Sequence, residues 1–333
     1  MNSQNKGLIN LGNTCYLNSA IQCLSHLSLF NNNNDIFIED IGKRNKNNDV
    51  ELITEWINLQ DELLKNKESV NPYNFINCFI NKIKKYKFYF ESFEQNDCEE
   101  FITRLVELLH KSMERQIIFQ IDGIPQNNMD KLAIKSMNTW KTFFESNYSY
   151  IISKTYSQLL AITSCTNCDN VSTNHEPILV ISLEINKDCK TIEDCLKNHI
   201  KVDKLDNDNL WKCDKCKKKI QPERKLLFWN LSDILIIQFK RFSNNGTKKE
   251  NYIKYSELLQ MSDYTINYAE NDTVYKLMGL CIQNGSLNGG HYYAICRNEL
   301  NNKWYKYNDN NVSEINKKEL YNYNPYCLFY KLI

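Results

Sequence analysis

Apolar residues recur at helical spacing through the first third of the chain. In residues 17–27 the apolar side chains fall on one face of a helix, and Asn13 or Thr14 can cap its start. Three further segments have the same spacing: residues 52–64, 72–83 and about 96–115. Two asparagine-rich stretches between the helices predict loops: residues 31–34 and 45–48. We therefore expect a helical region that extends to about residue 150.

Short runs rich in β-branched and aromatic residues replace this pattern after about residue 150. Their length and composition are typical of strands. The clearest runs are residues 177–185, 225–242, 276–283, 291–298, 303–308 and 326–333. A helical start and a strand-rich remainder predict an α+β fold. No Pro-rich or Gly-rich linker interrupts the chain, so we expect a single domain over residues 1–333.

Composition and charge narrow the functional classes. The chain has 333 residues, of which 42% are hydrophobic and 24% are charged, and its formal net charge is +1. With this charge balance, the chain as a whole has no excess of positive charge that would attract nucleic acid or acidic lipid. No apolar run approaches the roughly 18 residues of a membrane span, and residues 1–7 carry no signal-peptide pattern. We therefore expect a cytoplasmic or nuclear protein that binds neither nucleic acid nor membranes.

Cys15 stands between a turn of small polar residues and the first predicted helix. A thiol at a helix start lies at the positive end of the helix dipole, which lowers its pKa and favours the thiolate. The turn at residues 11–13 brings backbone N–H groups near the sulfur, and Asn10 can add a side-chain amide donor. The residues alone leave two interpretations open. Cys15 is either a nucleophile with an oxyanion site or one of several buried thiols.

A nucleophilic thiol needs a base, and the candidates are His26, His110, His175, His199 and His291. The first four fall on helices, at helix ends or in polar stretches. His291 follows two glycines at the head of a predicted strand, where a substrate can approach closely. Asn308 or Asp309, at the end of the next predicted strand, can accept a hydrogen bond from its imidazole. The alternative is that His291 is a structural histidine at the edge of a strand, with its hydrogen bonds made within the protein.

The chain has 13 cysteines, an odd number, and no secretion signal. Patterned cysteines therefore indicate metal binding or catalysis rather than a disulfide framework. Two C-x-x-C motifs occur in polar turns: Cys165 with Cys168, and Cys213 with Cys216. Four thiolates suit a tetrahedral Zn²⁺, and the 44 residues between the motifs suit the tips of two adjacent hairpins. The alternative is two C-x-x-C pairs that hold no metal.

Gln95, Asp97 and Glu100 open the predicted helix at about residues 96–115. On the residues alone, Asn96 or Asp97 is an N-cap, and an acidic residue three positions later completes a capping box. Acidic side chains in a first helical turn also favour the helix dipole. The residues therefore predict a helix start and leave open whether its carboxylates also bind a ligand.

Several motifs together resemble the ubiquitin-specific proteases, a class of deubiquitinating cysteine peptidases. GLINLGNTCYLNSAIQCL, residues 7–24, resembles their cysteine box, and EQNDCEEF, residues 94–101, resembles their glutamine/aspartate box. GGHYYAICRN and KWYKYNDNNVSEI resemble the histidine box and the strand that follows it. ILIIQFKRF and the terminal YCLFYKLI resemble two further strands. The motifs keep the family's order from residue 7 to residue 333, so the likeness covers nearly the whole chain.

The resemblance implies a papain-like cysteine protease fold with the architecture of a right hand. The thumb is expected at about residues 1–150, the palm at about 256–333, and mostly fingers, with part of the palm, at about 151–255. The fingers are expected to be of zinc-ribbon type and to hold a structural Zn²⁺ with Cys165, Cys168, Cys213 and Cys216.

The resemblance also assigns catalytic roles. It implies that Cys15 is the nucleophile, His291 the general base and acid, and Asn308 the residue that orients His291. Asp309 is expected to assist in the site, and Asn10 is the expected oxyanion donor.

Five further residues correspond to the channel that holds the basic C-terminal tail of ubiquitin: Gln95, Asp97, Glu100, Gly290 and Tyr292. One position departs from the family pattern. Asn284 stands where the family usually has a histidine, in the strand before the histidine box. That departure puts in doubt any contact which the second histidine makes near the site, and it leaves His291 as the base.

The resemblance implies hydrolysis of isopeptide or peptide bonds after the C-terminal glycine of ubiquitin, through a thioester. Its expected partners are ubiquitin and ubiquitinated proteins, and the chain is expected to be a monomer. Two alternatives remain: a protease of another ubiquitin-like modifier, and a catalytically silent ubiquitin-binding module. The second predicts loss of the reacting residues, and Cys15, His291 and Asn10 are all present.

Overall fold

The computed structural model describes residues 5–27, 35–44, 46, 48–65, 68–90, 94–144, 148–204, 210–243, 245–266, 273–286 and 289–333. The loop predicted at residues 31–34 lies outside the described residues, as do positions 45 and 47 of the second predicted loop.

Helices dominate the part of the chain before residue 156. The described helices are α1 (Cys15–Ser25), α2 (Asp35–Gly42), α3 (Glu51–Lys65), α4 (Tyr73–Lys85), α5 (Cys98–Met113), α6 (Asn128–Phe144), α7 (Tyr150–Thr155) and α8 (Ile192–His199). The four helices predicted from apolar spacing correspond to α1, α3, α4 and α5. The other four were not predicted, and three of these are short.

Strands follow in the remainder of the chain. They are β1 (Ser157–Ser164), β2 (Val171–Ile178), β3 (Val180–Glu184), β4 (Asp203–Lys204), β5 (Trp211–Lys212), β6 (Lys219–Ile220), β7 (Glu223–Asn230), β8 (Ile234–Lys240), β9 (Leu258–Gln260), β10 (Val274–Gly285), β11 (Gly290–Asn298), β12 (Lys303–Asn308), β13 (Asn311–Ile315) and β14 (Cys327–Leu332). The predicted α+β class is therefore confirmed.

The strands in the described part of the chain form three sheets. The largest has the order β13-β12-β11-β10-β14-β8-β3, with β9 paired to β10. Its pairs are antiparallel except β3 with β8. A second sheet has the order β2-β1-β7-β4, and β5 pairs with β6 in a small hairpin. The meander from β10 to β13 brings the strand that carries His291 next to the strand that ends at Asn308.

The largest sheet has a hydrophobic core on each face. One core joins α1, α3, α4 and α5 to side chains of β10, β11 and β14. The other packs α8 and the 256–265 region against the opposite face. Helix α1 lies between the helical layer and the sheet, and all its residues from Cys15 to Leu24 are buried. Burial on every side fixes the start of α1 relative to the sheet.

The segment before α1 is anchored to the turn between β12 and β13. The N–H of Leu8 donates to the carbonyl oxygen of Asp309 at 3.0 Å, and the N–H of Ile9 donates to that of Val70 at 2.9 Å. A Cβ atom at Gly7 would lie 2.4 Å from the Asp309 carbonyl oxygen, so only glycine fits this approach without a backbone shift. The anchor places the start of α1 beside Asn308 and Asp309.

Candidate active site

Cys15 is the first residue of α1, as the sequence indicated, and its neighbours form a tightly held turn. The Asn10 Oδ1 atom accepts hydrogen bonds from the N–H of Gly12 at 2.9 Å and from the hydroxyl of Thr14 at 3.1 Å. Gly12 and Asn13 adopt positive φ angles of 95° and 53°. This conformation suits glycine and is tolerated by asparagine. The turn holds the thiol at the N-terminus of α1.

Burial raises the pKa of the Cys15 thiol, although the backbone N–H of Tyr292 lowers it, and the nearby Asp309 carboxylate raises it further. The net direction is upward. Backbone groups of Cys15 and Tyr16 at the helix start do lower this pKa, as predicted, but burial outweighs them. A thiol only 5% exposed is poorly solvated as an anion, so the expected net lowering is wrong for the free chain. Among the described residues, no hydrogen bond joins the Cys15 sulfur to His291. The imidazole therefore does not counteract the rise in the Cys15 pKa that burial causes.

His291 is the second residue of β11, is partly exposed, and is held by Asn308. Its Nε2 atom lies 2.5 Å from the Oδ1 atom of Asn308. An amide oxygen only accepts hydrogen bonds, so Nε2 carries the hydrogen and Nδ1 is left as the basic nitrogen. The backbone N–H of the next residue along the strand, Tyr292, lies near enough to the Cys15 sulfur to lower the pKa of that thiol against the effect of burial. The site therefore combines a thiol with an imidazole that Asn308 orients.

Asp309 does not share the role of Asn308. Its carboxylate accepts hydrogen bonds from the Nδ2 atom of Asn10 at 3.0 Å and from that of Asn18 at 2.8 Å. Only one of the two hydrogens on Asn10 Nδ2 is used in this contact, so the second is available to a substrate oxygen. Asp309 therefore fixes the amide that was predicted as the oxyanion donor.

Asn18 is a site residue that the sequence analysis missed. It is 2% exposed, and its Nδ2 atom also approaches the carbonyl oxygens of Leu8 and Ile9, each at 3.4 Å. A polar residue inside the first apolar helix, one turn after Cys15, was the signal that pointed to it. Its side chain ties α1 to the segment before it and to the β12–β13 turn.

The start of α5 faces the start of β11. The N–H of Gly290 donates to the Oε1 atom of Gln95 at 3.1 Å. Asp97 is the N-cap of α5 and accepts from the N–H of Glu99 at 2.8 Å. The hydroxyl of Tyr326 also donates to Asp97. Burial raises the pKa of Asp97, against the lowering effect of these two hydrogen bonds.

The aromatic ring of Tyr292 lies beside this helix start. It packs edge-on against the ring of Tyr326, with centroids 5.9 Å apart. Glu100, in the first turn of α5, is partly exposed, and burial raises the pKa of its carboxyl group. Asp97 is thus committed to contacts within the protein, whereas Glu100 is open to a ligand.

Asn284 lies directly opposite His291 in the β10–β11 pair. It is exposed. Burial raises the pKa of the neighbouring Tyr293 phenol, and the Asn284 side chain opposes that effect. The position that carries histidine in the family therefore contributes an amide here, which cannot act as a base at neutral pH.

The two C-x-x-C motifs meet at the tips of two hairpins. Cys165 and Cys168 lie in the β1–β2 turn, and Cys213 and Cys216 lie in the short β5–β6 turn. All four sulfurs lie within 4.8 Å of one another, so the cluster can hold a metal ion. The Cys165–Cys216 and Cys168–Cys213 sulfur distances are 3.8 and 3.7 Å. A tetrahedron with Zn–S bonds of about 2.3 Å has edges of about 3.8 Å.

The surroundings of the cluster suit bound thiolates. The Nδ2 atom of Asn170 donates to the Cys213 sulfur at 3.3 Å, and the N–H of Asn167 donates to the Cys165 sulfur at 3.4 Å. N–H donors of this kind stabilise metal-bound thiolates and orient them. All 13 cysteines of the chain are free thiols.

A thiol at a helix start, an imidazole oriented by an asparagine, and an amide beside the thiol are the parts of a papain-like cysteine protease site. The sequence profile described as Ubiquitin carboxyl-terminal hydrolase matches residues 6–330. The chain therefore belongs to the ubiquitin carboxyl-terminal hydrolase family. The combination of a helical layer with sheets agrees with the predicted papain-like right-hand fold.

Ubiquitin carboxyl-terminal hydrolase Usp2 of Drosophila melanogaster is 30% identical over 98% of this chain and 34% of that protein. Human ubiquitin carboxyl-terminal hydrolase 21 is 29% identical over 100% of this chain and 62% of that protein. The chain thus spans about one to two thirds of the length of these relatives.

The solved structures that resemble the chain include a SAGA DUB module with Ubp8 bound to monoubiquitin. The match has a TM-score of 0.76 at 24% identity and covers 100% of this chain and 70% of that chain. At this identity the likeness concerns the fold. In the described part of the chain, no helix combines the length and the apolar character that a membrane crossing needs.

Proposed function

We propose that the chain is a deubiquitinating cysteine protease, which hydrolyses isopeptide or peptide bonds after the C-terminal glycine of ubiquitin. The observation that carries the proposal is the contact between His291 Nε2 and Asn308 Oδ1 at 2.5 Å, beside a thiol at the start of α1. Membership of the family supplies the substrate class.

In the proposed reaction, Nδ1 of His291 takes the proton from the Cys15 thiol. The thiolate attacks the carbonyl carbon of the terminal glycine, and the imidazolium then gives its proton to the departing lysine amine. Water hydrolyses the resulting thioester. Because the Cys15 pKa is raised in the free chain, we propose that substrate binding brings the imidazole and the thiol together before the proton moves.

The negative charge on the attacked oxygen needs hydrogen-bond donors. We propose that the unused hydrogen of Asn10 Nδ2 supplies one and that backbone N–H groups at the start of α1 supply the rest. One such donor typically contributes about 10²–10³-fold to the rate. Asp309 and Asn18 would act as positioning residues, because they hold Asn10 and its segment in place.

The tail of ubiquitin is proposed to pass between α5 and β11, lined by Gln95, Asp97, Glu100, Gly290 and Tyr292. Glu100 is proposed to meet the basic tail residues, and Asp97 to hold the start of α5. Glu100→Gln is then expected to raise KM for a ubiquitin substrate with little change in kcat. Glu99→Gln is the matched control, since Glu99 accepts a hydrogen bond from Thr103 on its own helix.

Hydrolysis of fluorogenic amides of ubiquitin and of other ubiquitin-like modifiers tests the proposed function. Hydrolysis of the ubiquitin amide that Cys15→Ala abolishes supports the proposal. Hydrolysis of another modifier only would favour a protease of that modifier. Tight binding of ubiquitin with no hydrolysis of any substrate would favour a silent ubiquitin-binding module.

We also propose that the four-cysteine cluster holds a structural Zn²⁺, supported by its sulfur–sulfur distances near 3.8 Å. Bound zinc would pin the β1–β2 and β5–β6 turns together. Metal analysis of the purified protein is expected to give one zinc per chain, which Cys213→Ser removes. Cys78→Ser, at a buried thiol outside the cluster, is expected to retain it. Equal zinc content in both variants would contradict the assignment.

Two predictions about assembly remain proposals. The chain is proposed to form one catalytic domain and to act as a monomer. Light scattering coupled to size-exclusion chromatography is expected to give a mass near the chain mass of 39.5 kDa. A concentration-dependent mass near twice that value would contradict the monomer.

A further inference from the structure

Two pairs of buried thiols lie in close contact outside the site and outside the metal cluster. The sulfurs of Cys98 and Cys281 are 3.3 Å apart, and those of Cys23 and Cys296 are 3.9 Å apart. All four side chains are at most 1% exposed. The pairs differ in their surroundings, and the difference decides which of them is reactive.

Cys23 and Cys296 lie on the two elements that carry the reacting residues. Cys23 is on α1, eight positions after Cys15, and Cys296 is on β11, five positions after His291. Gly279 of β10 leaves room for both sulfurs, since a Cβ atom there would lie 3.4 Å from the Cys23 sulfur and 3.6 Å from the Cys296 sulfur. A bond between these sulfurs would join the helix of the nucleophile to the strand of the base.

His26, the C-cap of α1, lies at this pair, and its hydrogen bonds define its protonation. Its Nδ1 atom is 2.8 Å from the carbonyl oxygen of Gln22, which only accepts, so Nδ1 carries a hydrogen. Its Nε2 atom is 2.8 Å from the hydroxyl of Tyr307. That hydroxyl gives its own hydrogen to Asn5 Oδ1 at 3.0 Å, so it accepts from Nε2. Both ring nitrogens therefore carry hydrogens.

The orientation of the Asn5 amide, on which this assignment depends, is fixed by its neighbours. Asn5 Oδ1 accepts from the Nδ2 atom of Asn298 at 2.8 Å. Asn298 Oδ1 in turn accepts from the N–H of Leu300 at 2.9 Å, so its Nδ2 is the donor. The backbone N–H of Leu300 thus fixes the direction of each later hydrogen bond, through Asn298, Asn5 and Tyr307, as far as the His26 imidazole. His26 is therefore an imidazolium.

A buried imidazolium is stabilised by anionic neighbours, and the groups that act on His26 in this way are Cys296 and Glu299. Burial by itself would lower the pKa of His26, but the neighbouring Cys296 raises it. Burial would raise the pKa of Cys296, but the Cys23 hydrogen bond and the His26 charge lower it to about 6. In the other pair, burial raises the pKa of both Cys98 and Cys281. Of these two pairs, only the first places a thiol of lowered pKa beside a second thiol.

We propose that Cys23 and Cys296 form a dithiol site for small hydroperoxides, which oxidise it to a disulfide between α1 and β11. The Cys296 thiolate attacks one oxygen of hydrogen peroxide and the O–O bond breaks, which gives a sulfenic acid and a hydroxide. The hydroxide takes the proton of His26 and becomes water. Cys23 then attacks the Cys296 sulfur, the S–O bond breaks, and the leaving hydroxide takes the Cys23 proton. Two thiols and one peroxide thus yield one disulfide and two waters.

The sulfurs have to approach from 3.9 Å to the bonding distance of about 2.05 Å, so local movement of α1 against β11 accompanies the reaction. The disulfide then holds these two elements together. This inference is independent of the proposed protease activity, because the oxidation requires neither Cys15 nor a ubiquitin substrate.

The experiment is oxidation of the zinc-loaded Cys15→Ala protein with graded hydrogen peroxide, followed by alkylation and peptide mapping without reduction. A peptide that links Cys23 to Cys296 is expected first, ahead of any link between Cys98 and Cys281. The second pair is the matched control, because its sulfurs are closer and equally buried. A Cys98–Cys281 link that forms first, or no Cys23–Cys296 link at all, would overturn the proposal.

Two variants test whether the disulfide forms because Cys296 is a reactive thiolate or only because the two sulfurs are close together. In the Cys23→Ala variant the sulfenic acid at Cys296 cannot resolve, so dimedone is expected to label Cys296 and to leave Cys98 unlabelled. In His26→Gln the link is expected to form at least about tenfold more slowly, because the thiolate fraction at Cys296 falls. Unlabelled Cys296 in the first variant would contradict the mechanism even if the second fails to fold.

Discussion

Two adjacent residues at the end of β12 perform different tasks in the site. Asn308 holds the imidazole of His291, whereas Asp309, which follows at a positive φ of 51°, holds the amides of Asn10 and Asn18. The left-handed conformation directs the second side chain away from the first. An amide at Asn308 orients the imidazole but offers no charge to an imidazolium. The contribution of Asn308 is therefore positional.

This difference predicts unequal effects of substitution. His291→Ala removes the proton acceptor and is expected to lower kcat/KM for a ubiquitin amide by at least about 10³-fold. Asn308→Ala leaves the base in place and is expected to cost less, about 10–10²-fold. Steady-state kinetics of the two variants checks the order. A larger loss for Asn308→Ala than for His291→Ala would contradict the assigned roles.

Among the elements, α1 and the segment before it set the geometry of the site. The helix is buried on all sides, and the segment before it is bonded to the backbone of the β12–β13 turn. The thiol, the oxyanion donor and the residues that follow β12 are therefore fixed relative to one another by backbone contacts. Gly7 is the point of closest approach.

Gly7→Ala tests this backbone contact. The added Cβ would lie 2.4 Å from the Asp309 carbonyl oxygen, so the turn that carries Asn308 and Asp309 has to move. We expect kcat to fall at least about tenfold, since small misplacements in an active site are costly. Gly42→Ala is the control, because nothing lies within 4 Å of its added Cβ. Equal activity in the two variants would contradict the account.

The sequence predicts a helix or strand best where the signals that define it lie within that element. Helix α5 has a clean apolar face and an N-cap at Asp97, so spacing and capping define it locally. Helix α6 packs on the second sheet, where Ser136 bonds to Gln158 of β1 and Lys135 bonds to Thr173 of β2. Its apolar residues recur at helical spacing, at positions 129, 132, 133, 137, 140 and 143, so a local signal for this helix was present but unused. Helix α8 also carried a signal, the capping box of Thr191 and Asp194.

In the active site, too, the sequence predicts what local neighbours define and not what distant contacts define. The order of the motifs identifies Cys15, His291 and the metal cluster, because those residues are marked by their immediate neighbours in the sequence. The upward pKa shift of Cys15 and the separate roles of Asn308 and Asp309 are not visible in the sequence. They depend on burial and on contacts between residues about 300 positions apart, as in the Asn10–Asp309 hydrogen bond.

At the scale of the whole molecule, buried histidines outside the site couple stability to pH. His110 is 8% exposed and His175 is 4% exposed. Burial lowers the pKa of each imidazole to about 4, aided by the charge of Lys111 at His110 and of Lys135 at His175. Both side chains are therefore neutral in the folded chain under conditions where the unfolded chain begins to protonate them.

The sign of the effect follows from linkage. With a folded pKa of about 4 and an unfolded pKa near 6.5, the unfolded chain binds more protons between these values, so stability falls as the pH falls through that range. Each histidine contributes at most about 1.4 kcal/mol per pH unit. Urea unfolding measures the free energy of unfolding at pH 7 and at pH 5. We expect this free energy to fall less between the two pH values in His110→Gln than in the unmodified chain. Equal losses would contradict a neutral buried His110.

The central claim is that Cys15 is the nucleophile of a ubiquitin protease, and the most direct test is covalent capture. Folded, zinc-loaded protein and its Cys15→Ala variant are incubated with ubiquitin that carries a C-terminal electrophile, and the products are separated by denaturing electrophoresis. The account predicts an adduct of one ubiquitin per chain with the unmodified protein and none with Cys15→Ala. No adduct with the unmodified protein, or an equal adduct with the variant, would contradict it.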